Sequence, residues 1–200
     1  RALAERFPGD ERFARLTAMA NFHDNRLDEA IAQYESLLER CPEDREALAH
    51  LALARCRKGA PGEENAPLLE RAVAANPENA ALRAALAETR LEAGRTDECV
   101  AALRTAAELA PGEENAAPVR HAVRTMLTRR PNATELRWLL AELLARAGET
   151  AEALEQYRAL RERAEAPASR LVAALDALLV LAGDGDGVDI LALKGRVLFE

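Results

Sequence analysis

The sequence contains few cysteines and few aromatic residues. Phe, Trp and Tyr make up 4% of its 200 residues, and there is a single tryptophan. The three cysteines, Cys41, Cys56 and Cys99, lie far apart and include no C-x-x-C pair, which argues against a disulfide framework or a cysteine-rich zinc module. We expect them to be buried or half-buried thiols, which suit a reducing compartment, and we predict a cytoplasmic protein.

Long apolar runs are also lacking. No segment is apolar over enough residues to span a bilayer, and the first residues do not resemble a signal peptide. The net charge is −7, which argues against general binding to nucleic acid or to an anionic membrane. We therefore predict neither kind of partner.

Motifs of catalysis and metal binding are absent as well. The sequence has no G-x-S-x-G and no P-loop, and no residue has a recognisable nucleophile context. His23, His50 and His121 lie in different segments and predict no zinc site. The aspartates of residues 184–189 resemble part of a calcium loop, but its glycine is misplaced and Gly195 stands where the bidentate glutamate belongs. We predict no enzyme activity, no metal and no cofactor.

The pattern that is present is helical. Hydrophobic residues make up 49% of the chain and charged residues 30%, which is typical of an all-α protein rich in Ala, Leu, Glu and Arg. Residues 11–24 and 27–41 predict two helices separated by a polar break. Apolar residues of the second helix recur at spacings of three and four, which marks one buried face: Leu27, Ile31, Tyr34 and Leu38.

Prolines repeat at a nearly constant interval. Pro8, Pro42, Pro77 and Pro111 follow one another at spacings of 34, 35 and 34 residues. A helix pair of this length cannot bury its apolar faces alone, and a regular repeat supplies neighbours that stack on it. The sequence therefore predicts an array of helix pairs.

Two segments carry the clearest repeat motif, which resembles the tetratricopeptide repeat (TPR) family. In residues 80–111, the small residue, turn glycine, alanine and closing proline of that family fall on Ala87, Gly94, Ala106 and Pro111. Residues 134–166 match at a second set of positions: Ala141, Gly148, Ala153, Tyr157 and Leu160. The resemblance implies an all-α, right-handed α-solenoid of helix–turn–helix repeats.

An internal duplication interrupts this regularity. Residues 111–116 repeat residues 61–66 letter for letter, and the helix that follows, residues 116–130, is an irregular extra one. Because short connections make sequential helices antiparallel, an odd helix reverses the direction of the next pair. We expect a kink or a change of stacking within residues 111–131.

The domain prediction has two parts. Residues 1–166 would hold about four repeats and the odd helix, and residues 167–200 a helical pair that packs on the last repeat. Residue 1 is not Met, and residues 1–7 resemble the end of an earlier repeat, so we expect a fragment of a longer chain. Residues 169–182 are apolar almost all round and predict a buried helix.

Two interpretations of the C-terminal pair remain open. In one, the pair covers the last repeat and leads into a neighbouring one. In the other, it forms a dimer or partner surface from a set of apolar residues: Val172, Leu175, Leu179, Ile190, Leu193 and Phe199.

The family resemblance also implies a binding surface. In TPR proteins the first helices of successive repeats line a concave groove that holds a peptide or helix. Carried over by position, the groove would be lined by Arg12, Arg15, Met19, Phe22, Glu46, Leu53, Cys56, Arg57, Glu88, Leu91, Glu92, Glu135, Trp138, Glu142 and Arg146. Trp138 is either an anchor for the partner or a packing residue between repeats.

One ligand class can be weighed. TPR proteins that bind chaperone tails clamp a terminal carboxylate with basic and amide side chains on three first helices. The corresponding residues here are Arg15, Met19, His50, Ala81 and Ala85, of which only Arg15 keeps the required charge. The clamp is therefore largely missing.

The predicted function is a protein–protein interaction scaffold that binds a protein or peptide segment in the groove. One alternative is a module that regulates or targets an enzyme domain elsewhere in the same polypeptide. Another is a self-assembly module, a homo-oligomer formed through the C-terminal helices.

Overall fold

The protein is built from α-helices. The computed structural model describes residues 11–59, 62–109, 113–163, 167–182 and 187–199, and within these ranges it contains eleven α-helices, one 3₁₀ turn and no strand. The helices are α1 (Glu11–His23), α2 (Leu27–Arg40), α3 (Arg45–Lys58), α4 (Ala66–Ala75), α5 (Ala80–Glu92), α6 (Thr96–Glu108), α7 (Glu113–Arg129), α8 (Thr134–Arg146), α9 (Thr150–Glu162), α10 (Ala168–Leu181) and α11 (Gly187–Phe199), and the 3₁₀ turn (Glu63–Asn65) precedes α4.

The turns inside three helix pairs close in the same way. Gly94 and Gly148 have φ values of +79° and +78°, and Asn25 occupies the same left-handed region at +59°. In each turn, the amide of the next residue donates to a carbonyl five positions earlier, at 2.8–2.9 Å. This closure satisfies carbonyls that a helix end leaves open, and it favours glycine or asparagine at the turning residue.

Side-chain caps fix the start of two first helices. The Asp44 carboxylate accepts from the amides of Glu46 and Ala47 at 3.1 and 3.0 Å, and the Asn79 side chain accepts from the amide of Leu82 at 3.1 Å. These contacts satisfy amides that have no partner inside the helix. They explain why α3 begins at Arg45 and α5 at Ala80.

The chain divides into two compact units between Leu109 and Ala110. In the first unit, α1 contacts α3 and α3 contacts α5, whereas the described second helices α2, α4 and α6 do not contact one another. The first helices therefore form the inner layer of this unit. Its core is continuous from pair to pair, because Tyr34 and Leu37 of α2 pack in one cluster with Ala47 and Leu51 of α3.

The second unit contains α7 to α11. Sequential helices pack on each other, and α8 also contacts α10. Arg120 of α7 is 7% exposed and pairs with Glu149 at 3.2 Å, while Arg124 pairs with Glu149 and Glu152 at 3.0 and 2.6 Å. A buried guanidinium requires such a partner, so this network fastens α7 to the start of α9.

Two sequence predictions need correction here. The extra helix begins at Glu113 rather than at residue 116, so Pro118 lies inside it instead of in its first turn. The C-terminal helix α10 was expected to be buried, but only Leu171, Leu175 and Leu178 are. One face of α10 packs on its neighbours, and its other side has no described element over it, which leaves Val180 86% exposed.

Other predictions are not decided by the described residues. The helix expected at residues 1–7 and the loop at residues 184–186 lie outside them. The change of stacking within residues 111–131 and the division at residues 166 and 167 stay predictions. None of the described helices has both the length and the apolar character needed to cross a membrane.

Candidate functional site

The inner layer of the first unit carries eleven of the predicted groove residues. Exposed or half-buried side chains make up most of this set: Arg12, Arg15, Met19, Glu46, Leu53, Cys56, Arg57, Glu88 and Glu92. Phe22 and Leu91 are 3% and 1% exposed. These two give the surface its shape but offer a partner little contact area in this conformation.

Arg15 lies beside two carboxylates. Its guanidinium contacts Asp44 at 2.6 Å and Glu46 at 3.6 Å, and the Asp44 side chain is only 8% exposed. The same Asp44 carboxylate caps α3, so one group links α1 to the start of α3. The charge of Arg15 is therefore balanced within the protein.

An aromatic stack lies next to this pair. The Arg57 guanidinium sits 4.2 Å from the centre of the Phe22 ring, which meets His50 edge-on at 5.3 Å. His50 stacks in turn on Tyr34, with ring centres 5.5 Å apart and planes 9° from parallel. Tyr34 is fully buried, as the apolar face of its helix predicts, but its stacking on His50 could not be predicted from the sequence.

Burial governs the titration of this cluster. Burial, with smaller contributions from Glu46 and Asp44, raises the pKa of Tyr34 to about 12, and burial lowers the pKa of His50. Tyr34 Oη and His50 Nδ1 are buried and have no hydrogen-bond partner among the described residues.

Burial and the nearby Glu88 raise the pKa of Cys56 to about 11, so this thiol is not a nucleophile at neutral pH.

A groove of about 420 Å³ opens between α8 and α10 in the second unit. Small side chains form its α10 wall, because Ala173, Ala174 and Ala177 recur on one face of the helix. The other lining residues are Ala145 and a set of larger or charged ones: Trp138, Glu142, Arg146, Tyr157, Arg170, Leu178 and Leu181. The structure thus places three predicted groove residues, Trp138, Glu142 and Arg146, around one concave site.

Trp138 is a packing residue in this structure. It is 1% exposed, and its ring lies 5.6 Å from that of Tyr157. The guanidinium of Arg170 covers the indole at 4.2 Å and is held by two contacts to Glu135, at 2.9 and 3.2 Å. Of the two interpretations left open for Trp138, packing is the one that the burial favours. Burial also raises the pKa of Tyr157 to about 12.

Sequence reasoning missed the α10 side of this groove. It treated residues 169–182 as part of a cover for the last repeat or of a dimer or partner surface, and did not assign Arg170 or the three alanines to a site. A signal was available, since small residues at spacings of three and four on a helix leave room for a neighbour. In the described part of the chain, no three His, Cys, Asp or Glu side chains gather as a metal site would require.

The antiparallel helix pairs and the layer of first helices define an α-helical repeat protein. Profiles of the family described as "Tetratricopeptide repeat" match residues 64–123 and residues 1–45, 25–64 and 120–170. The chain therefore belongs to the tetratricopeptide repeat family, whose repeats are generally protein-interaction modules without catalytic activity. The resemblance inferred from the sequence is confirmed, and so is the all-α solenoid fold.

Solved structures resemble the chain along most of its length. A crystal structure of YrrB, described as a TPR protein with an unusual peptide-binding site, is 20% identical, with a TM-score of 0.50 over 97% of this chain and 96% of that one. A thermophilic TPR protein from Thermus thermophilus is 18% identical, with a TM-score of 0.46 over 96% and 100% of the two chains. No curated protein matches the sequence. At these identities the likeness concerns the fold alone.

Proposed function

We propose that this chain is an interaction scaffold that binds a segment of a partner protein on its first-helix surfaces, principally in the groove between α8 and α10. The observation that carries the proposal is the composition of this groove. Three alanines lie in its α10 wall, the buried Trp138 and Tyr157 also line it, and its rim carries charged side chains. A site with an apolar floor and few polar groups is typical of ligand recognition.

The groove suits an apolar side chain flanked by an acidic one. Ala173 and Ala177 are exposed and small, so a partner side chain can approach the α10 backbone closely. Arg146 is exposed at the rim, and Arg170 lies within the lining. Because Arg170 is already paired with Glu135, Arg146 is the residue that we assign to a partner carboxylate.

The inner layer of the first unit would be a separate binding surface. We assign this role to the residues predicted from the sequence that reach solvent, among them Arg12, Arg57 and Glu92. Regulation or targeting of an enzyme domain elsewhere in the same polypeptide would use the same surfaces. This alternative and a cytoplasmic location both stay predictions.

Selection from a displayed random-peptide library, followed by calorimetry on recovered peptides, tests the proposal. Ala177→Phe places a ring in the groove at an exposed position, and Ala151→Phe is the matched control on exposed α9 surface. We expect peptides that bind the parent and the control and lose at least ~10-fold in affinity with Ala177→Phe, which corresponds to about 1.4 kcal/mol. Equal binding to all three proteins would place the site elsewhere.

Charge reversal gives a second readout. Arg146→Glu should weaken binding of recovered peptides that carry an acidic residue and leave neutral ones nearly unaffected. A recovered set without any acidic preference would contradict the role assigned to Arg146.

A further inference from the structure

Two three-helix segments of the chain correspond residue by residue. The first segment comprises α1 to α3 and the second α8 to α10. The first residues of the corresponding helices are 123 positions apart in all three cases: Glu11 and Thr134, Leu27 and Thr150, and Arg45 and Ala168. The left-handed turns at Asn25 and Gly148 keep the same offset. Side chains 123 positions apart therefore occupy equivalent places in the two segments.

In the first segment, two rings cover the tyrosine of the second helix. His50 of α3 stacks on Tyr34, with ring centres 5.5 Å apart. Phe22 of α1 meets His50 edge-on, and the guanidinium of Arg57 covers the Phe22 ring. The protein thus fills this part of its inner surface with its own aromatic side chains.

The second segment keeps the tyrosine and replaces both rings by methyl groups. The equivalent residues are Tyr157 for Tyr34, Ala173 for His50 and Ala145 for Phe22. In addition, α10 packs on α9 less extensively than α3 packs on α2. Ala145, Tyr157 and Ala173 all line the groove of about 420 Å³ between α8 and α10. This groove therefore opens where the first segment holds its rings.

The α10 wall of the groove differs from the interaction surface that the sequence predicted on α10 and α11. That prediction needs correction, because three of its residues are buried: Leu175, Ile190 and Leu193. The side chains that α10 exposes along the groove include the small Ala173 and Ala177. These two positions leave room for a planar side chain beside the helix.

The groove also contains a buried polar group without a partner. Tyr157 is 2% exposed, and its hydroxyl has no hydrogen-bond partner among the described residues. Glu142 raises the pKa of Tyr157 and Arg170 lowers it, so the hydroxyl lies near a charged side chain of each wall. A buried hydroxyl without a hydrogen bond is unfavourable, and a polar atom that enters the groove can satisfy it.

Arg170 offers a second contact for a ring. Its guanidinium already covers the indole of Trp138 at 4.2 Å and is held by Glu135. The Arg170 side chain lines the groove and is still 38% exposed. A partner ring can therefore lie against this guanidinium, as the Phe22 ring lies against Arg57 in the first segment.

We propose that the groove between α8 and α10 binds an aromatic side chain of the partner segment, in the place that Phe22 and His50 fill in the first segment. The inference rests on the function proposed above and names the side chain that this groove recognises. The Tyr157 hydroxyl favours a ring with a polar atom, such as that of tyrosine, histidine or tryptophan. The acidic residue assigned to Arg146 would flank this ring.

Nuclear magnetic resonance of the Trp138 indole N–H in the full chain tests this inference. Trp138 is the single tryptophan and lines the groove, so one resonance reports on the site. The probes are N-acetyl-tyrosine amide and N-acetyl-leucine amide, which differ only in the side chain. We expect the tyrosine probe to shift the resonance and to bind about 2- to 10-fold more tightly, the gain that contacts between aromatic groups add to buried area.

Filling the groove should abolish this binding. Ala173→His places a ring where the first segment has His50, and Ala173→Gln fills the same exposed position with a side chain that favours helix. Ala151→His, at an exposed position of α9 outside the groove, is the matched control. Circular dichroism identifies the variants that fold. We expect the control to bind the tyrosine probe as the parent does and the folded Ala173 variants to lose the shift.

The possible outcomes separate this inference from the scaffold function. Equal binding of the two probes, or a tyrosine shift that persists in a folded Ala173 variant, would overturn the aromatic site. Selected peptides that lose affinity with Ala177→Phe but contain no aromatic residue would also overturn it, and the scaffold function would stand. Peptides that bind Ala177→Phe as well as the parent would instead contradict the function proposed for this groove.

Discussion

Replacement of Trp138 by alanine tests whether this residue is a structural element of the second unit. The side chain is 1% exposed and packs on Tyr157 and under Arg170. Truncation removes its buried apolar area and leaves a cavity, so the unit should lose about 3–5 kcal/mol of stability. That is a large share of the stability of a small domain.

Hydrogen exchange measured by mass spectrometry reports this loss of stability separately for each helix. Peptides from α8, α9 and α10 should exchange faster in Trp138→Ala, because the free energy of opening their hydrogen bonds falls by the same amount. The fluorescence of the single tryptophan disappears with the substitution, whereas the exchange readout does not depend on it.

Trp138→Phe is the matched control. It keeps most of the apolar area and removes only an indole N–H that has no hydrogen-bond partner among the described residues. We expect it to cost less than about 1.5 kcal/mol. Exchange in Trp138→Ala within about 0.5 kcal/mol of the parent would refute the packing role and favour the interpretation of Trp138 as a partner anchor.

Three further predictions concern stability. Arg170→Met should cost about 1 kcal/mol in urea unfolding, with a smaller cost in high salt, because the Glu135 pair and the ring contact are partly exposed. Gly148→Ala should lower the free energy of unfolding by about 1–2 kcal/mol, because Gly148 has φ +78°. Gly195→Ala should raise it by about 1 kcal/mol in monomeric protein, because the added Cβ meets open space within a helix. Equal effects of the two substitutions in thermal unfolding would contradict both predictions. Burial raises the pKa of Tyr34 and Tyr157 to about 12, above the ordinary value near 10. The neutral side chains therefore contribute their full stabilisation below pH 10, and this stabilisation is lost as the pH rises towards 12. Ultraviolet titration should therefore show ionisation near 12 in the folded protein and near 10 in urea, and a value near 10 in both would contradict the burial argument.

Local rules predicted the bounds of the first two helices to within one residue. The helices predicted at residues 11–24 and 27–41 are Glu11–His23 and Leu27–Arg40, and left-handed turns fall at the predicted turn glycines Gly94 and Gly148. These features depend on residues within a few positions of one another. The prediction for the start of α7 was less accurate. A proline is tolerated in the first turn of a helix and also farther inside it, where it removes one hydrogen bond, so Pro118 did not fix the start.

The site could be predicted only in part. Position in the repeat placed Trp138, Glu142 and Arg146 around one groove, because the repeat fixes which helix face turns inward. It left open whether Trp138 is buried, and it did not predict that Leu91 is buried or that α10 is half open. Exposure depends on neighbouring helices that are distant in sequence, and an apolar pattern shows that a face will be covered without showing by which element.

The position of Asp44 has a consequence for partner selection by the first unit. An incoming carboxylate that approached Arg15 would have to compete with Asp44, which is held in place at the start of α3 and is largely shielded from water, and with Glu46 behind it. Asp44 and Glu46 therefore disfavour the binding of an acidic ligand to Arg15. An approaching lysine or arginine has to compete only with Arg15 for the exposed Glu46, and it can bind there without disturbing the cap. The carboxylate that caps α3 would therefore also select partners by charge, because it disfavours an acidic partner residue near Arg15 more than a basic one.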